Sequence, residues 1–173
     1  MALPARIRHK DSRPGIADRG DSAGGETEAR AMILHASCIA HRGRGLLILG
    51  PSGSGKSGLA LEMMALGAAL VADDRTVLRR EGAAVIADAP DSIRGRIEAR
   101  GVGILHAVPH GPVELALAVD LERTEPDRLP PDRRLDLMGR SLPLVLGAGR
   151  VHLASTLLQY LVAGRADTDL RER

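Results

Sequence analysis

Aromatic side chains are nearly missing from this sequence: they make up 1% of 173 residues, Tyr160 standing alone with neither tryptophan nor phenylalanine. One ring cannot build the stacking platforms that hold single-stranded nucleic acid, so nucleic acid is not an expected partner. Cysteine is equally scarce. Cys38 has no second thiol to pair with, which excludes an internal disulfide. Together with the lack of a signal-peptide-like apolar core near Met1, this predicts a reducing, cytoplasmic setting. No apolar run approaches the roughly 20 residues that cross a bilayer, so no membrane partner is expected either. Neither sign of charge dominates: 24 Lys and Arg against 22 Asp and Glu give a net +2, with the signs interspersed. That balance suits a soluble protein and selects no polyanion.

What is present fits one domain, since 173 residues can enclose one hydrophobic core and leave little for a second. Residues 1–30 are rich in Gly, Pro, Ser and charge without apolar periodicity, and are expected to form a disordered tail ahead of a domain over 31–173. Order is expected to begin at MILHASCIA, a strand, followed by a turn at HRGRG and a second strand, LLILG. SGLALEMMALG has helical spacing and a stop at Gly67. Then come ALVADD as a strand, TVLRREGAAVIAD as a hairpin around Glu81 and Gly82, GVGILHAV and VELALAVDLE as strands, and VHLASTLLQYLVAG as a closing helix. Residues 122–136 are polar and Pro-rich and are expected to be an exposed, mobile loop.

The chemistry concentrates after LLILG. Gly50, Pro51, Ser52, Gly53, Ser54, Gly55, Lys56 and Ser57 match G-x-x-x-x-G-K-[ST], placed after a strand and at the head of a helix. Glycines let backbone N–H groups close around phosphates, and the helix N-terminus adds partial positive charge. Lys56 supplies a full charge for the β- and γ-phosphates, and the Ser57 hydroxyl is a natural Mg²⁺ ligand. The strand that follows ends in two adjacent carboxylates, Asp73 and Asp74. Phosphoryl transfer to a hydroxyl needs a proton acceptor and a metal anchor, and two aspartates can divide that labour. Neighbouring strand residues point to opposite sides, so only one of them is expected to face the phosphates.

LHASCIAHRGRGLLILGPSGSGKSGLALEMMALGAALVADD resembles the catalytic domain of the HPr kinase/phosphorylase family, which phosphorylates a serine of the phosphocarrier protein HPr. APDSIRGRIEARGVGIL agrees, with Glu98, Arg100, Gly101 and Gly103 in the family's E-x-R-G-x-G-I pattern. The resemblance covers about residues 33–106 and implies an α/β fold with a mixed sheet around the P-loop helix, phosphoenolpyruvate carboxykinase-like. It implies ATP and Mg²⁺ as cofactors and an HPr-like protein as acceptor. Carried across, Asp74 falls on the proton acceptor, with Asp73 as a supporting carboxylate, and Ser57 and Glu98 fall on the Mg²⁺-ligand positions. His35 falls on a functional histidine, and Arg128 on an arginine of a mobile loop that neutralises charge on the transferring phosphoryl group. Arg133 or Arg134 could take the last role instead.

The sequence also departs from that family. It has no counterpart of the longer members' N-terminal domain, so it reads as a catalytic-domain-only form. The family's P-V-x-P-G-R motif, associated with dephosphorylation, survives as LVLGAGR with Gly149 and Arg150 but without its prolines, leaving phosphorylase activity open. The chain stops soon after VAGR, where longer members continue into helices that hold a hexamer, so the oligomeric state stays open too. Two other readings remain: a small-molecule P-loop kinase, and a nucleotide-sensing module that acts by contact with little or no catalysis. No N-K-x-D base-reading motif supports a GTPase. Pro109 argues against a helical metal site at His106 and His110, and Met63, Met64 and Cys38 read as core filler.

Overall fold

A computed structural model describes residues 7–8 and 31–166. The expectation of a disordered tail over 1–30 therefore lies outside the described residues, apart from Ile7–Arg8. In chain order the elements are β1 (Ile7–Arg8), β2 (Met32–Leu34), β3 (Ser37–His41), β4 (Arg44–Leu49), α1 (Lys56–Ala65), β5 (Ala69–Ala72), β6 (Thr76–Glu81) and β7 (Ala84–Asp88). After a 3₁₀ turn at Asp91–Ile93 come β8 (Arg96–Ala99), β9 (Gly103–His106), β10 (Val113–Asp120), β11 (Arg134–Leu137), β12 (Arg140–Leu146) and α2 (Leu153–Ala163).

The fold is α/β with a mixed sheet. Ten strands form one sheet that includes the order β1-β11-β12-β10-β4-β3-β5, while β8 and β9 form a separate pair. β10 is parallel to both β4 and β12, and the remaining pairings are antiparallel. The apolar runs of the central strands follow from burial on both faces. Along β3, β4, β5 and β10, residues enter two different cores by alternation, interrupted in β10 by a bulge between Leu115 and Leu117: Ile39, Leu46, Ile48, Leu70, Leu117 and Val119 pack with α1 and α2. Cys38, Ala40, Leu47, Val71, Leu115 and Ala118 pack instead with residues of β6, β7, β11 and β12. A period of two with both sets apolar gives LLIL and ALAV rather than visible alternation.

The P-loop helix begins at Lys56 and stops where Gly67 requires it. Gly67, at φ 96°, donates to Met64 O at 3.0 Å, and Ala68 donates to Met63 O at 3.0 Å. This is a Schellman closure, with glycine at the left-handed position. The hairpin around Gly82 forms with Glu81 opposite Ala84, as the sequence predicts.

Two expectations need correction. Residues 122–133 form an exposed loop without regular structure, as expected, but Arg134–Asp136 belong to β11, and Glu125 within the loop is 8% exposed and anchors it. Its anchor is a two-pronged ion pair: Arg133 Nε donates to Glu125 Oε2 at 2.6 Å and Arg133 Nη2 to Oε1 at 2.7 Å. Strands β1, β8, β11 and β12 are additional to the predicted set, β1 lying in the stretch expected to be a tail, and the one strand expected over MILHASCIA is two, β2 pairing with β6 and β3 with β4 and β5.

Candidate active site

The phosphate-loop sequence leaves β4 at Leu49 and re-enters regular structure at Lys56. Gly50 shows why no side chain fits at the loop's start: a β-carbon there would lie 2.5 Å from Ser54 Oγ, at a φ of 148°. Ser54 Oγ is itself buried without a hydrogen-bond partner among the described residues. Lys56, 7% exposed, folds its ammonium back so that Nζ donates to Gly50 O at 2.9 Å and Pro51 O at 3.0 Å. Two of its three protons are thus held by the loop, leaving a third to point elsewhere. Burial lowers its pKa below the ordinary lysine value, while the charges of Asp74 and Asp73 oppose that shift.

Asp73 is a buried hub, 6% exposed. Its Oδ1 accepts from Ser37 Oγ at 2.6 Å and from Ser57 Oγ at 2.9 Å, and its Oδ2 accepts from Ser57 Oγ at 3.1 Å and from the Glu98 N–H at 3.1 Å. One carboxylate therefore ties together β3, the first turn of α1 and β8. Asp74 behaves differently. Its side chain is 69% exposed, and its Oδ1 lies 2.9 Å from His35 Nε2.

The expectation that strand alternation would send only one of the pair toward the phosphates is corrected here. β5 ends at Ala72, and Asp74 takes a left-handed φ of 65°, so the chain has left the strand before either carboxylate. Both line one cleft of about 560 Å³ with His35, Lys56, Ser57 and Glu98. That cleft gathers the predicted residues from four separate elements or turns. Among the loop residues, Ser52, Gly53 and Gly55 also line it.

Arg128 is not among the lining residues. Arg133 is committed to Glu125, and Arg134 Nε donates to Asp132 Oδ2 at 2.9 Å. Arg150 lines a second cavity, of about 350 Å³, beside Arg133, Leu146 and Tyr160. Sequence reasoning overlooked Ser37, a polar residue in an apolar run whose hydroxyl meets Asp73 in the fold. It also assigned no role to three arginines of the cleft, Arg75, Arg96 and Arg100. Burial pushes the Cys38 thiol well above its ordinary pKa, in keeping with a core residue.

The residues present suit a hard divalent cation. Ser57 gives its proton to Asp73, which leaves hydroxyl lone pairs free, and Asp73 and Glu98 add carboxylate oxygens, an all-oxygen set of the kind Mg²⁺ takes. They also suit a phosphate chain, with an ammonium and a glycine-rich loop opening onto the same cleft.

The sequence profile of the HPr Serine kinase C-terminal domain matches residues 26–127, more than half of the chain. The chain belongs to this family. Among curated relatives, an HPr kinase/phosphorylase from Alkaliphilus metalliredigens is 44% identical over 81 residues, covering 46% of this chain and 26% of the relative. Another, from Caldanaerobacter subterraneus subsp. tengcongensis, is 39% identical over 100 residues, covering 56% of this chain and 33% of the relative. The matched region is thus about a quarter to a third of those relatives' length. A solved structure, the Hpr(Ser) kinase/phosphatase from Coxiella burnetii, superposes with a TM-score of 0.64 at 25% identity, over 76% of this chain and 88% of that one. The family match takes in β2 to β10, and with them His35, the phosphate loop, both aspartates and Glu98. Among the described residues no helix is long and apolar enough to cross a membrane.

Proposed function

We propose that the chain is an ATP- and Mg²⁺-dependent protein serine kinase whose acceptor is the phosphocarrier HPr or a relative of it. The observation that carries this reading is the division of labour between the adjacent aspartates. Asp73 is buried against the Ser57 hydroxyl, and Asp74 is exposed beside His35, both facing the cleft that the phosphate loop opens into. An exposed carboxylate held by a histidine suits the approach of a hydroxyl from another protein.

In this mechanism the loop N–H groups and Lys56 would hold the nucleotide's phosphates, and Ser57, Asp73 and Glu98 would hold the cation. A bound Mg²⁺ would supply positive charge against the phosphates. Asp74 takes the proton from the acceptor serine as its oxygen attacks, and His35 keeps that carboxylate turned toward the cleft. Asp73 contributes by fixing Ser57 and the start of β8, so that loop, helix and hairpin keep one geometry.

The test is to incubate the protein with γ-labelled ATP, Mg²⁺ and purified HPr proteins. Label on a serine of HPr is expected, and replacing that serine with alanine should abolish it. Binding of ATP without transfer to any acceptor would point instead to a nucleotide-sensing module. Transfer to a small molecule alone would point to a metabolite kinase.

A further inference from the structure

Away from the cleft of the phosphate loop, a cavity of about 350 Å³ opens between β12, α2 and residues 130–133, and none of the described residues lines both. Its volume stands at the lower end of the range for small-molecule sites, about 300–1,000 Å³. The walls are mainly aliphatic. β12 contributes Leu144, Val145 and Leu146, α2 contributes Leu153, and Pro130 and Pro131 add their ring carbons. Tyr160, the one aromatic residue of the chain, is half-buried and lines the same cavity.

The charged groups around it divide into those already engaged and one that is not. Arg133 gives both prongs to Glu125, and Asp132 accepts from Arg134 Nε at 2.9 Å. Arg165 donates to Pro131 O at 3.2 Å and to Pro130 O, tying the chain just beyond α2 to the opposite wall. Arg150 is different: among the described residues its guanidinium has neither a carboxylate nor a hydrogen-bond acceptor. Arg133, Arg150 and Arg165 line the cavity against Glu125 and Asp132, and Arg134 balances Asp132 from outside, so positive charge is in excess. The Tyr160 hydroxyl and the Gln159 amide also have no partner among the described residues.

An aliphatic cavity with one unpaired guanidinium selects its occupant from both ends. Its walls favour a chain without polar atoms, since a polar group buried there without a partner is costly. The fork of Arg150 suits two carboxylate oxygens side by side. A single fork also matches a single negative charge, whereas a dianionic phosphate set among leucines and prolines would be short of donors. We propose that this cavity is a binding site for a small aliphatic carboxylate, its chain lying against β12 and α2 and its head group held by Arg150. Its walls are set by the sheet, a helix and the Glu125–Arg133 pair, so the site is formed before the ligand arrives.

Tyr160 supplies the readout, because in a chain without tryptophan the intrinsic emission comes from this one ring. Wild type, Arg150→Ala and Arg150→Lys are titrated with octanoate, 1-octanol, octylammonium and acetate, below the concentrations at which the longer compounds form micelles. Octanoate is expected to change the Tyr160 emission saturably and to raise the melting temperature, as a ligand of the folded state does. Octanol, with the same chain and no charge, should bind about tenfold more weakly, and octylammonium and acetate should give no response over the same range. Arg150→Ala, at an exposed position, should weaken octanoate about tenfold and leave octanol unchanged, with Arg150→Lys recovering part of the loss. No saturable response to octanoate overturns the proposal. Equal affinity for octanoate and octanol, or full octanoate affinity in Arg150→Ala, also overturns it, because Arg150 then reads no head group. A fall in melting temperature overturns it by showing octanoate to act as a detergent. Emission that varies with protein concentration before any ligand is added overturns it as well, since a second copy then covers the cavity.

Discussion

Asp73 and Asp74 are neighbours in sequence with opposite surroundings, and their substitutions should separate cleanly. Asp74→Asn keeps the shape of the side chain but cannot accept a proton. Phosphoryl transfer is expected to fall about a hundredfold to ten-thousandfold while ATP affinity stays near wild type. Asp73→Asn replaces one oxygen of a buried acceptor of three donors by an NH₂ group that must face a donor. A loss of about 1–3 kcal/mol in stability is expected, read by denaturant unfolding, together with a higher Mg²⁺ requirement for activity. If Asp73→Asn is fully stable and Asp74→Asn turns over normally, the assignment is wrong. Glu98→Gln removes an anionic oxygen while its backbone N–H still reaches Asp73, so it should raise the Mg²⁺ concentration for half-maximal activity without changing the melting temperature appreciably. That these residues would share one cleft was legible from motif and resemblance. The difference in burial was not, because it depends on Asp74's left-handed backbone and on Ser37, 36 residues earlier, meeting Asp73.

At the scale of elements, legibility followed the locality of the cause. Helix α1 announces itself through its phosphate loop and its glycine stop, and β6–β7 through a turn glycine between two β-rich runs. The β11–β12 hairpin hides because its turn places Met138 at φ 51° ahead of Gly139, where sequence rules look for asparagine or aspartate. The segment before it looked loose because nothing local reveals that Glu125 will meet Arg133. That pair supports a prediction of its own. The Arg133 guanidinium holds the Glu125 carboxyl below its ordinary value of 4.5, so the stabilisation is complete above about that pH and is lost as pH falls through the lowered value. Glu125→Ala, which strands a largely buried arginine, is expected to cost about 3 kcal/mol near neutral pH. Unfolding curves at about pH 7 and about pH 3 should show the gap between wild type and mutant shrinking in acid. A gap that is constant with pH would mean that the pair contributes packing and not charge.

For the molecule as a whole, the cleft joins loop, helix, hairpin and sheet, so filling it should stabilise the entire fold. Nucleotide at about a hundred times its dissociation constant adds about 2.7 kcal/mol. At this chain length that corresponds to a rise of about 5–10 °C in melting temperature. Lys56→Ala should abolish the rise, and a thermal melt with and without ATP and Mg²⁺ checks it. The overall architecture, α/β with a mixed sheet, was readable from the family resemblance, and the apolar runs located its central strands. Their order was not, since β10 lies parallel to β4 from far upstream and to β12 from downstream.

Cys38 gives this cohesion a clock. It sits at 0% exposure in β3, between Leu47 of β4 and Ala72 of β5, directly after the serine that bonds Asp73. A thiol so placed cannot meet an alkylating reagent until β3 parts from its neighbours, and the chain has no other thiol to confuse the signal. At maleimide concentrations high enough that labelling outruns reclosing, the labelling rate of the native protein is therefore the rate at which the strand beneath the paired aspartates comes undone.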